Sequence, residues 1–169
     1  MNKRPIVVVT AVMVAVAITA VTASASGTAA RINLRTTSLG KILVNAHGQT
    51  LYLFAPDKNG KSSCYGSCAT YWPPLIVTGK PAAGTGVKAA LLGVTTRKDG
   101  EHQATYNGHP LYTYVGDKAP GKTTGEGLNL SGGLWWVVSS AGKAVKTTSS
   151  AGGGGGGSYG GGGGGGSGY

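Results

Sequence analysis

Asp57 and Asp117 raise the question of chemistry, because each closes the same phrase. The first copy reads GQTLYLFAPDKNG over residues 48–60 and the second GHPLYTYVGDKAPG over 108–121. Tyr52, Phe54 and Asp57 in one copy match Tyr112, Tyr114 and Asp117 in the other. Two carboxylates converging with a Tyr or with His109 would offer the oxygen and nitrogen donors of a transition-metal or haem site. A short carboxylate entering a glycine-containing turn also accepts backbone N–H bonds, so structural turn aspartates are the ordinary reading. No cofactor is therefore expected, with a metal or haem at Asp57, Asp117 and His109 as the alternative. His109 flanks a tight turn and is expected in solvent. On the hairpin register given below, His102 falls opposite Thr113, several pairs from His109.

Other spellings of chemistry are weaker. Cys64 and Cys68 belong to a chain that reads as exported, which makes a disulfide the default. Their CYGSC spacing is not the two-residue spacing of thiol oxidoreductases, so the bridge is read as structural. GDKAPGKT, residues 116–123, satisfies the phosphate-loop pattern. A helix must follow such a loop, and TGEGLNLSGG would not form one, so the match is read as chance. Between the leader and the glycine-rich tail there is no G-x-S-x-G, no H-E-x-x-H and no paired-carboxylate cleft. Nothing here spells an enzyme.

Charge points to partners instead. Of 15 Lys and Arg, Lys3 and Arg4 fall in a leader, leaving 13 cations against 5 acids and a net charge of +8. Lys58, Lys61, Arg97, Lys98, Lys118 and Lys122 are scattered among loops rather than set beside stacking aromatics, which argues against nucleic acid. Attraction to anionic cell-wall or membrane-surface polymers is the natural use of such charge outside a cell. Trp72, Trp135 and Trp136 read as core or rim aromatics; exposed aromatics between the two copies would offer a site for a small ligand, with Trp72 and Trp135 among the candidates. Trp135 and Trp136 face opposite ways on a strand, so one of them is expected to be exposed.

The elements that must position these residues are mostly strands. Ile42–Asn45, Thr50–Phe54, Gln103–Tyr106, Pro110–Val115 and Leu134–Ser139 are short, β-branched or aromatic, and bounded by turn residues. Asn107-Gly108 is the preferred pair for a two-residue hairpin, which sets Tyr106 against His109, Thr105 against Pro110 and Gln103 against Tyr112. Alternation then places Leu51, Leu53, Leu111, Thr113 and Val115 on one face, with Tyr52, Phe54, Tyr112 and Tyr114 on the other. Strands apolar on both faces suit the middle of a two-layer packing. SSCYGSCATYW is the single convincing helical turn, with Ser62 or Ser63 as its cap and Pro73-Pro74 as its stop.

At the ends, MNKR followed by the uncharged run over residues 5–21 and Ala23-Ser24-Ala25 predicts a cleaved export signal over 1–25, with an uncleaved anchor as the lesser alternative. Residues 149–169 are expected to be a disordered Gly-rich tail in which Tyr159 and Tyr169 are the only adhesive side chains. The domain lies between, over 31–148, with one repeat at about 39–78 and a second at about 94–146.

GQTLYLFAPDKNGKSSCYGSCATYWPPL, TYNGHPLYTYVGDKAPGKTTGEG and GGLWWVV together resemble the bacterial "secreted repeat of unknown function" family. Its members are described as predicted lipoproteins with a Y-x-[FWY]-x-x-D motif. The resemblance covers roughly residues 39–145 and includes Cys64, Cys68 and Trp72-Pro73-Pro74. Many relatives carry a lipobox cysteine, which this chain lacks, so lipid tethering is not implied. The expectation is a mostly β domain, its antiparallel sheets built from two related repeats, with one helical turn at the Cys-x-x-x-Cys segment. It would serve as a non-enzymatic binding or structural module at the cell surface. An extracytoplasmic metal- or haem-linked redox protein is the alternative.

Overall fold

The computed structural model describes residues 30–146. The leader expected over 1–25 and the glycine-rich tail over 149–169 lie outside the described residues. In chain order the elements are β1 (Arg31–Thr37), β2 (Gly40–Val44), β3 (Tyr52–Phe54), α1 (Ser67–Tyr71), β4 (Ala82–Ala83), β5 (Leu92–Thr96), β6 (His102–Tyr106), β7 (His109–Pro110), β8 (Asn129–Leu130) and β9 (Gly133–Val137). A 3₁₀ turn at Ala89–Leu91 precedes β5. Three small sheets run in the orders β2-β1-β4, β3-β9-β8 and β5-β6-β7. All pairings are antiparallel except that of β1 with β4. The fold is mostly β, as expected.

Each repeat begins with a hairpin, β1–β2 in the first and β5–β6 in the second. Neither β1 nor β5 stands out in the sequence. The repeats are then joined by exchange of their last strands. Leu43 N–H donates to Val138 O at 2.9 Å, Val138 N–H to Leu51 O at 3.1 Å, and Leu51 N–H to Leu43 O at 3.0 Å. A second closed triad has the same form. Ala104 N–H donates to Leu75 O at 2.9 Å, Leu75 N–H to Leu111 O at 2.9 Å, and Leu111 N–H to Ala104 O at 3.0 Å. Leu43 thus corresponds to Ala104, Leu51 to Leu111 and Val138 to Leu75. In each triad the third strand comes from the other repeat.

Tyr52 and Tyr112 meet where the repeats cross. Tyr52 N–H donates to Tyr112 O at 2.9 Å, and Tyr112 N–H returns a bond to Tyr52 O at 3.0 Å. Contacts that read the same from either partner are the mark of twofold symmetry, here internal to one chain. β3 is flanked by β9 on one side and by the Tyr112 segment on the other, and Pro74 bridges that segment beyond. A strand so placed must be apolar on both faces. Leu51, Leu53 and Leu111 indeed enter one core with Ile32, Leu43 and Val138. Tyr52, Phe54 and Tyr112 enter a second with Trp72, Trp135 and Val137.

The exchange corrects part of the hairpin register. Tyr106 pairs with His109 and Thr105 with Pro110, as the Asn107-Gly108 turn requires. Beyond that point Gln103 bridges Ile76, not Tyr112, and the strand expected over Pro110–Val115 stops at Pro110 with an isolated bridge at Tyr112. His102 likewise does not face Thr113: its carbonyl takes Val77 N–H at 2.9 Å, and Thr113 N–H goes to Pro73 O at 2.9 Å. The segment around Leu75 has inserted between the two arms. The helix is also shorter than read. It starts at Ser67 after Gly66, whose φ is 56°, and no side chain caps it. Cys64 therefore precedes the helix, and the Cys64–Cys68 disulfide, with Cα atoms 5.3 Å apart, ties the loop to it.

Candidate functional site

The repeated phrase resolves into two crossed pairs. Tyr52 Oη donates to Asp117 Oδ2 at 2.7 Å, and Tyr112 Oη donates to Asp57 Oδ2 at 2.7 Å. Each tyrosine therefore serves the aspartate of the opposite repeat. The remaining oxygen of each acid closes its own loop. Asp57 Oδ1 accepts from Ser63 N–H and Ser63 Oγ, both at 2.8 Å, and Asp117 Oδ1 accepts from Thr124 N–H at 2.8 Å and Thr124 Oγ1 at 2.7 Å. The two loops are variants of one design, DKNGKSS and DKAPGKTT. The phosphate-loop spelling is one of them: a loop tied by Asp117, with Lys122 exposed to solvent.

Burial gives these groups unusual acidities. Burial foremost, then the hydrogen bond to Asp117, pushes the Tyr52 phenol far above its ordinary 10.0. Tyr112 is raised in the same way, by burial and then by the negative charge of Asp57. Asp57 itself lies above its ordinary 3.8 because burial outweighs the bonds from Ser63 and Tyr112 and the charge of Arg97. Arg97 was read from the sequence as a scattered surface cation. It is 5% exposed, and donates to Gln103 Oε1 at 2.8 Å, Cys64 O at 2.9 Å and Ser62 Oγ at 3.0 Å. Ser62 Oγ lies 2.8 Å from Tyr112 Oη, so Arg97 and Asp57 are linked through one buried polar chain. A buried charge of this kind needs such partners.

Trp72 and Trp135 occupy corresponding positions, three residues before Leu75 and Val138. Their rings stack at 3.9 Å with planes 1° apart. Phe54 stacks on Trp135 at 4.1 Å, and Tyr114 on Trp72 at 4.2 Å, giving a column of four rings. Tyr52 meets Trp72 edge-on at 5.3 Å, and Tyr112 meets Trp135 edge-on at 5.1 Å. Both tryptophans are fully buried, so they are core rather than an exposed ligand shelf. Trp136 is half-buried.

Asp57, Asp117 and His109 are not gathered into one donor set. His109 is half-buried in β7 beside Tyr106, not free in solvent. Among the described residues no group of three His, Cys, Asp or Glu side chains is placed to hold a metal ion.

Concave surface lies elsewhere, around His47. Cavities of about 510 Å³, 420 Å³ and 500 Å³ adjoin there, each with His47 in its wall. Arg35 lines the first, Lys118 the second and Arg31 the third. Sequence reasoning missed this place. Its one usable signal was the R-x-x-x-R spacing of β1, which puts both arginines on one face.

A family model described as a secreted repeat of unknown function matches residues 33–76 and 93–139. The two matched stretches contain the two crossing tyrosines and the two stacked tryptophans. No curated protein and no solved structure matches the chain. Among the described residues no helix is long and apolar enough to cross a membrane.

Proposed function

The chain belongs to the family of secreted repeats of unknown function, and from that premise we propose that it is a non-enzymatic binding module of the cell envelope. It is exported, works at the cell surface or outside the cell, and is drawn to anionic envelope polymers by its cations. The observation that carries this reading is where the acids go. Asp57 and Asp117, the two motif carboxylates, turn inward onto Tyr112 and Tyr52. Lys58, Lys61, Lys118 and Lys122, carried on the same two loops, are exposed. Inward acids and outward lysines leave a surface more positive than the composition alone implies, which favours long-range attraction to polyanions.

The geometry of the Tyr–Asp pairs supports a scaffold role for the motif. All four motif side chains in the crossed pairs are bonded, and the aromatic column fills the space between the repeats. The test is release by salt. Surface charges are screened beyond about 8 Å at physiological ionic strength and about 3 Å at 1 M salt. Purified protein bound to envelope preparations is therefore expected to elute as salt rises. Retention at molar salt with release only by detergent would overturn the reading.

A further inference from the structure

Resting on the function proposed above, we propose that the polyanion is held in the groove at the junction of the repeats, lined by Arg31, Arg35, His47 and Lys118. Its occupant is an extended phosphate-bearing chain.

The internal symmetry singles the groove out. The triads and the hairpin registers make Arg35 the counterpart of Thr95 and Arg31 the counterpart of Leu91. The turn between Leu43 and Leu51 is one residue longer than that between Ala104 and Leu111, and the loop from Asp117 to Thr124 is one residue longer than that from Asp57 to Ser63. His47 and Pro120 fall in those two longer segments. Lys118 is matched by Lys58, but the second repeat completes the same scaffold without Arg31, Arg35 or His47, and the first without Pro120. Folding does not explain them.

The groove is also built, not merely open. Asn45 Oδ1 accepts from His47 N–H and Gln49 N–H, both at 3.0 Å, which fixes the turn that carries His47. Gly121 N–H donates to Gly48 O at 2.9 Å, locking the Asp117 loop onto that turn. Arg35 lies across this junction: its Nε, Cδ and Cζ are the atoms nearest to where a Cβ at Gly121 would stand, so a larger residue there would push the arginine aside. Neither Arg31 nor Arg35 forms a salt bridge with a carboxylate among the described residues. Asp117 is the acid in the wall, and both its oxygens are engaged by Tyr52 and Thr124.

Spacing selects the ligand. Arg31, Asn33 and Arg35 share one face of β1, and four residues of strand place the two arginines about 13 Å apart. Arg35 and Arg31 line different adjoining cavities, so a chain of anions running past His47 can engage each in turn. The planar guanidinium fork takes phosphate oxygens in pairs, and a phosphate-linked chain carries its charge in the backbone, unit after unit, where both forks can reach it. A concave channel also suits a strand of polymer better than a flat bilayer.

The test titrates the full chain, in low salt, with linear polyphosphate, inorganic phosphate, polyglutamate of equal charge and phosphatidylglycerol vesicles. Polyphosphate is expected to bind best. Arg31→Gln/Arg35→Gln/Lys118→Gln should weaken it about tenfold or more, about 1.4 kcal/mol. Lys58→Gln/Lys61→Gln/Lys143→Gln, which removes the same charge elsewhere, should weaken it less than about threefold. Should the first variant not fold, Arg31→Gln/Lys118→Gln leaves Arg35 against Gly121 and should still lose about fivefold, against a smaller loss in Lys58→Gln/Lys143→Gln. Equal losses in groove and control variants would overturn the groove while leaving the proposed function standing. Equal binding of polyglutamate would overturn the phosphate preference, and binding to vesicles alone would overturn the polymer. Binding to none of the four would remove the proposed function and the groove together.

Discussion

Tyr52 and Tyr112 hold their protons where an exposed phenol would not. Both are raised well above 10.0, so the folded state retains two protons that the unfolded state releases as pH passes that value. With the folded form binding more protons, stability falls as pH rises. Their contribution is complete below about pH 10 and is lost above it. In a titration followed at 295 nm, the phenols of Tyr52 and Tyr112 should ionise only together with loss of the folded circular dichroism. Independent ionisation of all tyrosines before unfolding would contradict the buried pairs. Asp57 has the same sign, being raised from 3.8. Its contribution is present below that value and lost as pH rises through the folded one, the opposite of an ordinary salt-bridged carboxylate. Asp57→Asn should therefore gain on the wild type as pH rises above about 4. A second residue-scale comparison uses the symmetry as its own control. Trp135 Nε1 donates to Leu130 O at 3.1 Å, whereas Trp72 Nε1 is buried without a partner among the described residues. Replacing either by Phe leaves a similar cavity in one stacked column. Only Trp135→Phe gives up a hydrogen bond, whereas Trp72→Phe removes an N–H that is buried unpaired, so the former should cost about 1 kcal/mol more in a denaturant titration.

At the scale of elements, local pattern and non-local pairing part company. The Asn107-Gly108 hairpin was legible, because two residues with φ of 50° and 77° satisfy a turn that needs positive φ at both positions. The two-faced character of Leu51–Phe54 was legible from alternation. The register past Pro110 was not, because the strand that displaces it comes from residues around Leu75, far away in the chain. β1 and β5 were missed for a different reason. LGVTT mixes buried and exposed side chains without regular alternation, the alternation of Ile32 and Leu34 with Arg31, Asn33 and Arg35 in RINLRTT carries only two apolar residues, and the order of both strands comes from pairing with β2 and β6. The crossed Tyr–Asp partners were hidden altogether: a repeated spacing reveals duplication, not which copy serves which. A Trp follows Tyr52 by 20 residues and Tyr112 by 23, just before the segment each repeat gives away. The disulfide belongs to this scale too. It closes a five-residue loop, for which chain entropy gives about 2 kcal/mol. Cys64→Ser/Cys68→Ser should lower unfolding stability by about that much, with the Trp72–Trp135 stack retained in near-ultraviolet circular dichroism. A variant that fails to fold would mean that the bridge organises the whole domain rather than the α1 loop.

For the whole molecule, exchange makes the two repeats one cooperative body. Repeat one lacks the strand that closes its triad until Val138 arrives, and repeat two lacks its own until Leu75 does. The aromatic column also draws its rings from both copies. Half-chains of 50 and 67 residues, 30–79 and 80–146, fall where a lone core is marginal, and each would lack half of its own. A protease site placed between Gly79 and Lys80, both exposed, would cut the link without touching either exchanged strand. The cleaved protein is expected to run as one species on gel filtration and to keep its folded spectrum. Expressed separately, residues 30–79 and 80–146 should each be unfolded, and an equimolar mixture should regain the tryptophan stack. The mixture's midpoint should rise with concentration, since association now carries the folding free energy. A half that folds alone with ordered tryptophan signals would show that the exchange decorates two independent units, and the groove between them would then lose its rigid frame.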